Sequence, residues 1–333
     1  MVEAGFFLII CFNKIYINDM RKLSLLPFLL LATQSFAGWD FSLTTNAAYY
    51  IENKVKTGDE HFSRPSGPYD GAEALTRLDA KYTLPTPLGD HWLLKGATVE
   101  LITSMELSPI TLRPMAEVDF TPLPFLVFGA GASIGSGWNV LGFEGMVKYD
   151  YKTCDYEKLT PFTHYFYDLW ASGTFQFDTG ALIEGDWSHV VMVASYKLLY
   201  EGLTGTSDGE IWQWQESAGK ANGLQYRITG VLGYKMPLML NMIGVMGEFY
   251  GHFDKDDYGE VAESFDGDFT TADLSALFNF GIDDKNSLTT LVTFRRNRSY
   301  SATHSDEDEE PLLHAKGGEW SFYRLAFSWK HKF

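Results

Sequence analysis

Alternation of apolar and polar residues, sustained for ten or more positions at a time, is the feature that most constrains this chain. From Trp39 the odd positions read Trp39, Phe41, Leu43, Thr45, Ala47, Tyr49 and Ile51, and the even positions read Asp40, Ser42, Thr44, Asn46, Ala48, Tyr50 and Glu52. A period of two puts the first set on one face of an extended strand and the second on the other. The pattern returns in Leu78, Ala80, Tyr82 and Leu84 against Arg77, Asp79 and Lys81, and in Ile110, Leu112, Ala116, Val118 and Phe120 against Thr111, Arg113, Glu117 and Asp119. Leu224, Tyr226, Ile228, Leu232 and Tyr234 stand against Gln225, Arg227, Thr229 and Lys235; Ala272, Leu274, Ala276, Phe278 and Phe280 stand against Thr271, Asp273, Ser275 and Asn279. Weaker versions cover 92–104, 125–135, 165–178, 187–201, 239–253, 287–300 and 319–333, which makes twelve strands.

Strands of a soluble sandwich usually run to about five or six residues. Those here reach the length of about nine to eleven that crosses a bilayer at a tilt. The connections alternate as well. Those at 85–91, 121–124, 179–186, 237–238 and 283–286 are short, whereas 53–74, 136–164, 202–222, 254–268 and 301–317 are long and polar. Only the connection near Met105–Pro109 breaks that rhythm. Short turns on one rim and long loops on the other belong to an all-β, transmembrane antiparallel up-and-down β-barrel of about 12 strands.

Composition agrees once the faces are separated. An aromatic content of 16% with a mean hydropathy of -0.12 would leave a soluble core short of cover, but alternation sends the rings outward to lipid. Met20, Arg21 and Lys22 precede an apolar run from Leu23 to Ala32, and Ser35-Phe36-Ala37 places small residues at cleavage spacing. Residues 20–37 therefore read as a signal peptide, 1–19 as an over-called start, and 38–333 as the barrel. The net charge is -17, of which residues 1–37 contribute +1, so the mature chain carries -18 and nucleic acid is not an expected partner. Cys11 goes with the leader, so Cys154 has no intrachain disulfide partner.

The final stretch GEWSFYRLAFSWKHKF sets Tyr323, Leu325, Phe327, Trp329 and terminal Phe333 on one face, with His331 departing from the apolar choice. It resembles the C-terminal assembly signal of Gram-negative outer-membrane β-barrels, an alternating aromatic strand that ends in Phe. The resemblance implies export to the cell outer membrane, insertion by the barrel-assembly machinery, and contact with outer-membrane lipids and lipopolysaccharide. It names a superfamily and no member.

FLVFGAGASIGSG, residues 125–137, invites an enzymatic interpretation that its residues do not support. The dinucleotide fingerprint fails because Ile134 holds the third glycine position. Gly131, Ser133 and Gly135 spell the nucleophile elbow, but the residues after Ser136 have no helical periodicity. On a barrel strand Leu126, Phe128, Ala130, Ala132 and Ile134 face lipid, and Val127, Gly129, Gly131, Ser133 and Gly135 face inward. Two explanations stay open for the inward glycines: the loop 136–164 folds back against a cleared wall and narrows the pore, or the glycines relieve barrel curvature.

The expected lumen lining mixes Arg77, Lys81, Arg113, Arg227 and Arg295 with Asp79, Glu100, Glu117, Asp119, Glu248 and Asp273, beside Gly129 and Gly131. Buried charges must be paired or wet. A water-filled channel for small polar solutes satisfies that condition, and so does an internally salt-bridged plug. A surface adhesin or structural barrel is the alternative function, with a lipid hydrolase behind it. Outer-membrane phospholipases place His and Ser two apart on an outward strand face, and the pair of that spacing here, His61 and Ser63, falls in a loop beside Pro65. His164, His189 and His252 show no evident partner in sequence. Asp254, Asp256 and Gly259 fit part of a calcium loop, but Tyr258 and Phe265 occupy positions where oxygen ligands are required. The acidic run 306–310 reads as a solvated face, and Trp212 and Trp214 as rim or sugar-stacking rings. No cofactor, metal or catalytic residue is expected.

Overall fold

The computed structural model describes residues 38–51, 71–150, 155–207, 209–215, 217–300 and 315–333. Twelve long strands run antiparallel to their neighbours: β1 (Trp39–Tyr50), β2 (Gly71–Pro85), β3 (Thr98–Leu107), β4 (Thr111–Leu123), β5 (Leu126–Gly137), β10 (Phe166–Asp178), β11 (Val190–Leu203), β14 (Gly223–Lys235), β15 (Leu240–His252), β16 (Thr271–Gly281), β17 (Asn286–Tyr300) and β18 (Ala315–Lys332). Each pairs with the next in chain order, and β18 returns to β1, so the sheet closes and leaves no edge. The seam runs from Ser42 opposite Lys332 to Tyr50 opposite Arg324, and the Phe333 N–H donates to the Phe41 carbonyl at 3.1 Å.

Six short strands lie in two loops on one rim. Between β5 and β10 are β6 (Asn139–Val140), β7 (Phe143–Glu144), β8 (Met146–Asp150) and β9 (Asp155–Lys158). Between β11 and β14 are β12 (Ile211–Trp214) and β13 (Ser217–Ala221). Strands β13, β12, β8 and β9 pair in that order into a four-stranded sheet.

Closure explains the alternation. Leu274 is 52% exposed while Ser275 beside it is 1% exposed, and the exposed apolar set Leu101, Val118, Phe128, Leu169, Ile228, Leu232 and Phe249 occupies the same outward face. The inward face holds Thr111, Ser133, Asp273, Ser275 and Thr293, all buried. Two connections differ from the sequence expectation. Residues 92–97 form a turn rather than a strand start, because Leu94 and Lys95 donate back to the His91 carbonyl at 2.8 and 2.9 Å. The Met105–Pro109 irregularity is a tight turn in which the Ser108 hydroxyl accepts from the Ile110 and Thr111 N–H groups. Strand β3 consequently extends to Leu107 and brings Glu106 onto the inward face.

Candidate functional site

The barrel interior and the loop sheet above it form the candidate site. On the β2–β4 side, the inward charges are tied together. Asp79 accepts from Ser104 at 2.6 Å and pairs with Arg77 at 3.0 Å, Lys81 meets Glu100 at 2.9 Å, and Arg113 meets Glu106 at 3.1 Å. Across the barrel Arg295 grips Asp273 through two bonds of 2.7 Å and stacks on the Tyr323 ring at 3.4 Å. Glu248 stands opposite both Thr229 and Asp273 in the ladder, and Arg227 lies 5.3 Å from the centre of the Tyr250 ring. Between β1–β2 and β15–β18 a cavity of about 410 Å³ is lined by Asn46, Glu73, Met246, Thr289, Arg324 and Ser328, among others.

Several inward groups have a signal too weak to single out in sequence. Lys197 and Glu201 sit on β11, where Met192, Ala194, Tyr196, Leu198 and Tyr200 take the other face. That parity was the only clue, and the apolar pairs at its ends blur it. Asp168 and Trp170 on β10 face inward with them, and Asp168 accepts from the Ser133 hydroxyl. At the seam Tyr50 donates to Glu73, and Arg324 reaches the Tyr50 hydroxyl at 3.4 Å.

The glycine wall has different covers at different heights. At Gly129, a Cβ would lie 2.6 Å from Asp119 Oδ1 and 2.7 Å from Ser172 Oγ. At Gly131 it would collide with the ring of Trp170, whose indole N–H donates to Glu117 at 3.3 Å. Gly131 is thus covered by a neighbouring strand's side chain and not by a loop. Gly135 lies under Trp214 of β12, where a Cβ would come within 2.8 Å of the ring, and Gly137 lies under the Gly145 backbone. Loop cover is therefore confined to the rim. The 136–164 connection covers Gly137 through Gly145, and the connection after β11, which the sequence did not single out, covers Gly135 through Trp214.

Trp212 and Trp214 are 0% and 3% exposed, so neither is a rim ring. They pack with Met146, Phe166 and Leu203, and Phe166 stacks on Trp214 at 4.7 Å. A second cluster joins Tyr149, Ile211 and Ala221 to Tyr258, Ala262 and Phe265, which come from the connection after β15. Three loops therefore share one apolar cap. Each fully buried side chain of this size contributes about 1.5–3 kcal/mol. Tyr258 and Phe265, the residues that spoil the calcium pattern, serve this core, and burial pushes the Tyr258 hydroxyl up to about 12. Gln215, at a left-handed φ of 52°, turns the β12–β13 hairpin and donates to Thr111 at 2.7 Å. The cap is thus pinned to the inside of the mouth.

The three histidines without an evident partner in sequence hold structural bonds: His189 to Asp178 and His252 to Asp257, both at 2.8 Å, and His164 to the Thr204 carbonyl at 3.0 Å. In the C-terminal strand Phe327, Trp329 and Phe333 are exposed outward, and Leu325 precedes them on that face. Tyr323 departs from it. A β-bulge between the Thr293–Arg324 and Phe294–Phe322 pairs leaves Tyr323 as an extra residue, and its ring turns to Arg295 and Tyr50. His61, Ser63, Cys154 and the acidic run 306–310 lie outside the described residues.

No family model matches the chain, and no curated protein matches it in sequence. Among solved structures it is similar to an outer-membrane channel from Pseudomonas putida F1, with a TM-score of 0.48 and 9% identity over 89% of this chain and 96% of that one. It is similar also to the β domain of the Bordetella autotransporter BrkA, with a TM-score of 0.45 and 6% identity over 88% and 99%. For the KdgM porin the TM-score is 0.35, with 7% identity over the same shares. Likeness of this order carries nothing of what those proteins pass or bind over to this chain.

Proposed function

We propose that this chain is an outer-membrane barrel that passes small polar solutes through a narrow, charged lumen beneath a loop cap. The observation that carries the proposal is the division of the wall. Large apolar side chains cover the outside, while charged groups and a cavity of about 410 Å³ occupy the inside. A bilayer rewards the first arrangement and water the second. Phospholipid and lipopolysaccharide then cover the outward face, and the barrel-assembly machinery receives the strand that ends at Phe333. Purified protein in a planar bilayer should give discrete conductance steps. A chain expressed from Met20 should fractionate with the outer membrane.

A second reading is favoured by the cap itself. Its cores are dry, with Met146, Val147, Ile211 and Trp212 at 0% exposure, as a rigid surface platform would require. A silent bilayer together with a protease-resistant cap would support the adhesin or structural role. Hydrolysis of labelled phospholipid would instead make the chain an enzyme.

A further inference from the structure

Lys197 and Arg227 stand directly opposite each other in the β11–β14 ladder, on the inward face. Like charges held across a ladder repel and cost stability. Other inward cations have oxygen partners: Arg77 has Asp79, Lys81 has Glu100, Arg113 has Glu106, Arg295 has Asp273, and Arg324 has the Tyr50 hydroxyl. Among the described residues, no carboxylate lies within ion-pair distance of Lys197 or Arg227. Glu117, Asp119 and Asp168 lie near enough to Lys197 to act on it through space, Glu201 acts likewise on Arg227 while bonded to Gln225 and Lys220, and Glu248 stands opposite Thr229, one same-face step from Arg227, but none closes on the pair. Instead each cation rests on an aromatic face: Lys197 lies 4.3 Å from the Trp170 ring centre and Arg227 5.3 Å from that of Tyr250. Such stacking holds a cation in place without neutralising it. Arg227 remains exposed within the interior.

Resting on the solute-conducting reading above, we propose that Lys197 and Arg227 form an anion subsite in the lumen, which takes the carboxylate or another oxyanion of a small polar solute. The oxyanion would accept from the Lys197 ammonium and the Arg227 guanidinium together, relieving their repulsion as it binds. Neutral solutes of the same size would have no comparable hold. The aromatic supports, Trp170 on β10 and Tyr250 on β15, hold the two charges on either side of the β11–β14 pair, and the side chains turn toward each other as the oxyanion binds.

The test is equilibrium binding, independent of conduction. Gluconate titrated into the intact mature protein in low-salt detergent should bind saturably by calorimetry, with glucose giving no saturable heat. Added KCl should weaken it. Lys197→Gln/Arg227→Gln should weaken gluconate at least tenfold, Lys197→Arg/Arg227→Lys should retain it, and Lys95→Gln in an exposed turn should leave it unchanged. If the double variant does not fold, judged by heat-modifiable gel mobility, Arg227→Gln alone carries the comparison. Gluconate and glucose behaving alike, or undiminished binding in the glutamine variants, would overturn the subsite. Binding without any conductance would keep the subsite and remove the channel.

Discussion

Arg295 and Asp273 face each other across β16 and β17, joined by parallel bonds from Nε to Oδ1 and from Nη2 to Oδ2, each 2.7 Å. Both side chains are mostly buried, so either one alone is an uncompensated charge. Asp273→Ala should cost about 3–5 kcal/mol, read from urea unfolding in detergent. The doubly apolar Asp273→Leu/Arg295→Met should recover most of that loss. A double variant as weak as the single one would mean that the pair is worth more than its packing.

The two faces predict opposite responses to charge. Leu274→Arg places a guanidinium in lipid and should cost about 2–4 kcal/mol if it lies near the midplane. Ser275 is a poor control, because it is 1% exposed and shares a 2.9 Å hydrogen bond with Thr293. Thr229→Arg on the inward face of β14 is the better comparison and should leave the unfolding midpoint largely in place. Equal damage at Leu274 and Thr229 would reverse the assignment of the faces.

The barrel is legible in sequence because its physics is local: alternation depends on residues two apart, and strand length on counting them. The charged lining follows from parity alone on strands where that parity is clean, as with Arg77, Asp79 and Lys81. What escaped is either non-local or lies where the local period is broken. Lys197 and Glu201 sit on a strand whose apolar neighbours blur the period. The inward turn of Tyr323 depends on a bulge set by pairing with β17. Trp212 and Trp214 look like exposed loop rings until Met146, from another connection, and Phe166, at the start of β10, close over them. Likewise the glycine wall could be read as cleared space, but only the fold says that Trp170 fills it at Gly131 and Trp214 at Gly135.

At the opposite rim, Asp283 organises the β16–β17 turn. It accepts from the Asn286 side chain at 2.8 and 2.9 Å and from the Lys285 and Asn286 N–H groups at 2.8 Å. The Asn286 side chain, then the Lys285 N–H, hold the carboxyl below its ordinary value. The folded state thus prefers the ionised form. Its contribution is complete above the unfolded value of about 3.9 and fades as pH falls through the lower folded value. Asp283→Asn should lower the unfolding midpoint at pH 7 and make little difference at pH 2. A difference that persists undiminished into acid would assign the effect to turn geometry alone.

Trp214 over Gly135 joins the cap to the barrel. The ring is buried and would stand 2.8 Å from a Cβ at 135, so Gly135→Leu cannot be accommodated without moving the hairpin. Barrel hydrogen bonds on β5 do not depend on that side chain, so the wall should stay closed while β12–β13 lifts. Trypsin should then cut at Lys220 in the variant and spare it in the parent, with heat-modifiable mobility retained in both. Trp214→Ala approaches the same contact from the other side. It empties the cluster of Met146, Phe166, Leu203 and Trp212 and should cost the cap about 3–5 kcal/mol, again exposing Lys220. If the cap narrows the mouth, both variants should raise single-channel conductance, whereas Gly131→Trp should act by displacing Trp170 and leave the cap protected. A Gly135→Leu protein that resists trypsin like the parent would show that the hairpin is not seated by this contact.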